Sequence, residues 1–419
     1  MKSPIRYFWI FLILFVGAEL TAQQVLTQNR QAAMQFLQKA EMAKRGGNFN
    51  IAIDEYTAAI VTDPNYAEAY MKRALMLQQM GRYEESMRDH NKAIDLNPYS
   101  DVFYDQRARL QLLQSDYKGA ITDLDQALLL SPYNDQLLDT RAVAQLQTNE
   151  FAGALADLNF LIEINPKDTL ALLKRAITHM RLDNYEFAAE DINTALELNP
   201  YSELVYDVKG LFHLHFNELD LAYEAFDKAI SLNTNFYLAY YNRSVVHKKR
   251  GNIEASMSDL NTAIALNQDF PNAFFNRAIA NKLLGNEEAA VEDYSKAIAV
   301  KSDFTQALFN RGFSKSMLGD YAESLPDFDR AIESNPMDPT MWNVRANVKA
   351  FFGKYREALS DYDQAITLDP EFAEAYYNRG FTRILSYQTI QGCEDLEMAM
   401  KLGFRQAEEK IRYFCTGPK

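Results

Sequence analysis

Three histidines, His179, His213 and His247, recur at intervals of 34 residues, and His215 lies two residues beyond the second. Imidazole binds divalent metals readily and changes charge near neutral pH. If the interval is a structural period, the three rings stand on neighbouring elements and become candidates for a metal site or a pH sensor. Cys393 and Cys415 are the other candidate chemistry. They lie eleven residues either side of residue 404, just past the helix break at Leu402-Gly403. In an antiparallel helical hairpin, equal distances from the turn bring two side chains level, so a disulfide is expected, with two inert thiols as the alternative. The sequence carries no glycine-rich phosphate loop, no HExxH and no GxSxG elbow. No enzyme activity and no cofactor are therefore expected.

The spacing of 34 governs nearly the whole chain. Eleven units, the first starting at Ala33, the second at Ala67 and the last at Ala373, fill residues 33 to 406 without insertion or deletion. Such a period marks a stack of supersecondary units. Each unit reads as two helices. Position 8 of the unit is small in every copy, from Ala40 and Ala74 to Gly312 and Gly380. Position 27 is alanine in all but one, the exception being Leu161. Small residues there let helices approach closely. A turn is expected near position 15, as in Gly81-Arg82-Tyr83 and Gly353-Lys354-Tyr355, and prolines such as Pro64 and Pro370 end seven units. Pro326, inside the second helix of repeat 9, is expected to kink or delay that helix. Repeat 11 has Ser386-Tyr387-Gln388-Thr389 where the turn belongs and reads as degenerate from there, with a last helix from Phe404 to Phe414 as a cap.

Charge follows the same period. Position 7 is basic in all eleven copies, including Arg73, Arg141, Arg277 and Arg379. Position 23 is acidic in ten, including Asp89, Asp157, Asp293 and Asp395, and fails only at Ala225. Lys39 and Lys209 are the two lysines of the basic column, and their repeats are the two without Asp at position 23. This points to guanidinium–carboxylate pairs within each repeat rather than to an anion-binding stripe.

With its aromatic at position 4 (Tyr70, Tyr104, Tyr206, Tyr240, Phe274, Trp342, Tyr376), its small residues at positions 8, 20 and 27, and its terminal prolines, the chain resembles the tetratricopeptide repeat family over about nine-tenths of its length. The resemblance implies an all-α fold: a right-handed superhelical solenoid of helix-turn-helix repeats with a C-terminal capping helix. It also implies a concave side formed by positions 2, 5, 9, 12 and 13 of the first helices. Mapped here, that side carries Asp105, Asp139 and Asp207 in the earlier repeats. Tyr241, Phe275, Phe309 and Tyr377 follow at position 5, with Phe313, Phe381 and Phe351 at positions 9 and 13. Asn242, Asn276 and Asn310 at position 6 would hold an extended peptide backbone. The aromatics have a second reading, sideways packing between first helices. Position 11 in this family is an aromatic packing site, and here it also holds Gln111, Gln145, Asn281 and Lys315. Packing or solvent exposure is thus the preferred reading of the three histidines. The family's carboxylate clamp is incomplete: Asn347 and Asn378 match it, but Asn343 stands in place of its first lysine.

Composition bounds the remaining possibilities. A net charge of −14 argues against nonspecific nucleic-acid binding, which needs clustered Lys and Arg. Residues 1–22 read as a secretory signal peptide: Lys2 and Arg6, an apolar run from Tyr7 to Ala18, and a cleavage site before Gln23. The run is short for a membrane span, although retention as an anchor is the alternative. The expected division is a signal peptide (1–22), a lead-in (23–32), eleven repeats (33–403), and a capping helix and tail (404–419). The expected function is an exported scaffold, periplasmic or extracellular, that grips a protein or peptide in its groove. A structural subunit of an envelope or secretion assembly and a glycan-binding accessory protein are the alternatives.

Overall fold

The computed structural model describes residues 27–415, so the segment read as a signal peptide lies outside the described residues. Those residues form twenty-three helices and no strand. The chain divides into two compact units, one ending at Pro200 and the other starting at Tyr201. In each unit consecutive repeats stack as helical hairpins, and the period read from the sequence sets nearly every boundary. In repeat 8, for example, the first helix is Pro271–Leu283 and the second Glu287–Val300, with Pro271 at a helix start where its missing N–H costs nothing. The first helix of repeat 1 spans residues 27–45, so most of the expected lead-in is helical. Arg30, in that extension, is bonded to Asp63 at the end of the next helix.

Position 15 has positive φ in all eleven repeats. Six are glycines, such as Gly81 and Gly353, and five are Ser115, Asn149, Asp183, Asn217 and Tyr387. A left-handed residue ends one helix and redirects the chain, and glycine adopts it at least cost. This corrects two expectations. Tyr387 takes the same turn, with φ 64°, and the second helix of repeat 11 begins at Thr389 in register with the other copies. Repeat 11 therefore keeps its turn and departs from the pattern only at its end. Pro326 does not delay its helix, which starts at Tyr321, the same position at which Tyr355 starts the next second helix. Proline there removes one donor, the N–H that would meet the Ala322 carbonyl.

The small residues of position 8 face the large residue at position 24 of the same repeat. A Cβ on Gly210 would stand 2.5 Å from the Phe226 ring, and one on Gly312 would stand 3.1 Å from Phe328. Phe226, Phe328, Tyr294 and Tyr362 are buried as a result. His90 occupies this position in repeat 2, fully buried and without a hydrogen-bond partner for either ring nitrogen. Burial pushes its pKa down to about 4, with Arg107 adding to the effect.

The charge ladder is present in nine repeats. In each, the position-7 arginine gives Nε and Nη2 to both oxygens of the position-23 aspartate at 2.5–2.9 Å, as in Arg73–Asp89, Arg277–Asp293 and Arg379–Asp395. The remaining Nη1 reaches an acceptor at position 25 of the preceding repeat: Thr57 from Arg73, Asp125 from Arg141, Asn261 from Arg277 and Asp363 from Arg379, at 2.7–3.0 Å. Each arginine thus ties three helices of two repeats together. Removing one leaves a buried aspartate without its main partner, which costs about 3 kcal/mol. Arg277→Ala is expected to lower the melting temperature and to speed hydrogen exchange in repeats 7 and 8, with partner binding unchanged. A variant of wild-type stability that fails to bind would instead make the ladder a binding stripe.

The chain closes on the helix Ala407–Phe414. It covers Leu396, Ala399 and Ile384 at the open end of repeat 11. Cys393 and Cys415 are bonded, with Cα atoms 5.8 Å apart. Closing a loop of 22 residues stabilises the cap by about 3 kcal/mol in the chain-entropy model.

Candidate interaction surface

The candidate binding residues lie on the first helices, and many of their polar groups bond within the array. Position 5 of one repeat meets position 6 of the next. Asp139 pairs with Lys174, Asn242 donates to Asp207 at 2.8 Å, and Asn378 donates to Asn343 at 3.2 Å. Asn310 donates to the carbonyl of Gln306 in its own helix, 2.8 Å away. Asp105 is held by Arg109 one turn on, at 2.9 Å. Asn242, Asn310 and Asn378 thus each spend one amide bond between or within first helices, and each amide has a second N–H and a carbonyl oxygen besides.

The aromatics separate into two groups. Those at position 5 pack sideways, half-buried. Tyr241 meets Phe270 at 4.9 Å between centroids, Phe275 meets Phe304 at 5.0 Å, Phe309 meets Phe328 at 5.7 Å, and Tyr377 meets Phe404 at 4.9 Å. Offset and edge-on pairs of this kind add stability beyond the area they bury. Three others lie further out. Phe313 sits under the Lys282 ammonium at 4.6 Å and Phe381 under that of Lys410 at 4.8 Å. Phe351 is 69% exposed and stacks on Tyr321 at 4.3 Å.

Phe351 belongs to a row that its aromatic character alone does not reveal. Position 13 of repeats 8 to 11 is Leu283, Met317, Phe351 and Leu385, all exposed, and the adjoining Leu284, Leu318 and Phe352 are exposed as well. In repeats 4 to 7 the same position holds Gln147, Arg181, His215 and Lys249. The signal was available as a column of the repeat: four apolar residues in succession at position 13, in the last turn of a first helix.

Each of the three histidines has contacts of its own, and His247 reaches into the preceding repeat. His179 stacks on Phe187 at 5.3 Å, the His213 Nδ1 lies 2.7 Å from Glu218, and His247 packs edge-on to Tyr223 with Nε2 3.7 Å from Asp259. Burial lowers the pKa of His179 and of His247, in both cases against the raising influence of the ladder aspartate. No cluster of three potential metal ligands occurs among the described residues. Nor is any helix among them long and apolar enough to cross a membrane.

Asp207 is the one concave carboxylate whose titration is strongly displaced. Burial raises its pKa from 3.8 to about 6, against the opposing hydrogen bond from Asn242. An ionised Asp207 therefore opposes folding above about pH 6, and the penalty fades as pH falls towards its ordinary value. Two units correspond to about 3 kcal/mol. Asp207→Asn is expected to raise stability by up to that amount at pH 8 and to have little effect at pH 4, read from unfolding curves at both. An equal effect at the two pH values would contradict the assignment.

Family models agree with the period. Models described as tetratricopeptide repeat match residues 37–101, 140–203, 237–270 and 271–304, and one described as TPR repeat matches 353–383; together they span more than half of the chain. No curated protein matches. Among solved structures, the human IFIT1 dimer with PPP-AAAA is similar at 15% identity over 87% of this chain and 89% of its own, with a TM-score of 0.50. YrrB, a TPR protein with an unusual peptide-binding site, is similar at 22% identity over 45% of this chain and 99% of its own, with a TM-score of 0.42. A tetratricopeptide repeat protein from Parabacteroides merdae shares 22% identity over 58% of this chain and 97% of its own, with a TM-score of 0.41.

Proposed function

The chain belongs to the tetratricopeptide repeat family, and on that premise we propose that it is an exported, non-enzymatic scaffold that binds a protein segment along the first helices of repeats 8 to 11. One observation carries this reading: the exposed apolar row Leu283, Met317, Phe351 and Leu385, with Phe313 beside it. Exposed apolar side chains recurring at one position of four successive repeats, on a chain of net charge −14, are not explained by solubility. Several polar groups of the first helices already bond within the array, so specificity is assigned chiefly to apolar side chains set into the row.

A second reading has its own observation. Tyr99 and Tyr133, one repeat apart in the first unit, are 82% and 78% exposed and would serve a structural subunit that is contacted away from the groove. A photo-crosslinking amino acid placed at Phe351, Met317, Tyr99 or Tyr133 in cells separates the two. The groove reading expects adducts at Phe351 and Met317 and none at the two tyrosines; the reverse pattern would favour the subunit. Phe275→Ala with Phe309→Ala is expected to lower stability, because both rings pack into the core.

The compartment rests on the basic start and apolar run of residues 1–22 and on the cysteine pair, since disulfides persist in oxidising compartments. Intact mass of the protein recovered from cells, alkylated without reductant, is expected to show a chain starting at Gln23 with neither cysteine labelled. A chain that keeps residues 1–22 and carries two labelled thiols would refute export.

A further inference from the structure

The ladder fails in one place inside the array, and a cavity lies beside that place. In repeats 7 to 11 the position-23 aspartate is addressed from position 11 as well as from position 7. Asn281 donates to Asp293 at 3.1 Å, Lys315 to Asp327, Lys349 to Asp361 and Arg383 to Asp395 at 2.8 Å, and His247 stands 3.7 Å from Asp259. Two donors on the first helix thus converge on one carboxylate of the second. Repeat 6 keeps both donor positions, as Lys209 and His213, but has Ala225 where the carboxylate belongs. A cavity of about 310 Å³ opens there, lined by Lys209, His213 and Ala225 together with Tyr206, Glu224 and Lys228.

We propose that this cavity binds a carboxylate supplied from outside the chain, in the place that an aspartate side chain fills in the other repeats. Lys209 and Lys228 line the cavity, and neither forms an ion pair among the described residues. His213 is oriented by Glu218 through Nδ1, which leaves the opposite ring nitrogen for another partner. Glu224 is the one carboxylate in the lining, set against two lysines. The lysine at position 7 fits the role. Arginine's planar fork serves a fixed bidentate aspartate, whereas an ammonium on a flexible stem follows a ligand whose position is not set by the chain. The size suits a small organic acid or the end of an acidic side chain on a partner protein. The site does not use the apolar row of repeats 8 to 11.

The test titrates the full mature chain at constant ionic strength with succinate, with a short peptide containing aspartate and glutamate, and with chloride as control. Side-chain NMR signals of lysine and histidine are the readout. Succinate, the acidic peptide or both are expected to shift Lys209, Lys228 and His213 saturably, and chloride is not. A response to the peptide alone identifies a protein side chain as the source; a response to succinate alone identifies a small acid. Ala225→Asp supplies the carboxylate from within, so it is expected to raise the melting temperature and to weaken binding roughly tenfold or more. Lys209→Ala is expected to abolish binding with little loss of stability, and it keeps the test valid should Ala225→Asp misfold. Glu224→Gln is expected to tighten binding. Absence of saturable shifts with either carboxylate, or shifts unchanged in both Ala225→Asp and Lys209→Ala, would overturn the proposal.

Discussion

Each repeat in the ladder is joined to the one before it by a single guanidinium. Arg277 spends Nε and Nη2 on Asp293 and Nη1 on Asn261, so its fork is filled by two helices while its own helix forms the third side. The aspartate is buried and the arginine is not fully so, which keeps the cost of removing both charges from water moderate. Hydrophobic burial supplies the stability, but apolar faces slide past one another. A bidentate pair with a third bond across the repeat boundary favours one register, and it recurs in nine of the eleven hairpins.

The rest of the hairpin follows from that register. With positions 7 and 23 tied, position 8 falls on position 24, and one must be small for the other to be large. Gly312 under Phe328 shows it, since a Cβ there would stand 3.1 Å from the ring; Gly210 and Phe226 keep the same fit in repeat 6, where the pair is missing. The left-handed residue at position 15 then reverses the chain in the space available, even where it is Tyr387. The array ends only when something covers the last apolar face. The helix Ala407–Phe414 does so, tied down by Cys393 and Cys415.

Function is written in the places where the periodic pairing leaves something over. On the first helices, Asn242 and Asn378 bond to position 5 of the preceding repeat, and the side chains left exposed include an apolar row, Leu283, Met317, Phe351 and Leu385. In repeat 6 the remainder is polar, two lysines and a histidine around a missing carboxylate.

Much of this was legible without coordinates. The period, the two helices of each repeat, the pairing of positions 7 and 23 and the match between Cys393 and Cys415 all depend on residue type at fixed spacing, and local periodicity records those directly. The position-25 acceptors, the link from position 5 to position 6 of the next repeat and the burial of the position-5 rings did not appear in that way. They are contacts between residues 16 to 35 apart, set by how one hairpin tilts on the next, and side-chain chemistry alone leaves that tilt open. For the same reason the exposed aromatics could not be told from the packed ones: Phe309 and Phe313 are one turn apart on one helix, yet the first faces Phe328 and the second faces solvent beneath Lys282. Types and spacings determined the repeat; the stacking of one repeat on another decided which of its groups were free.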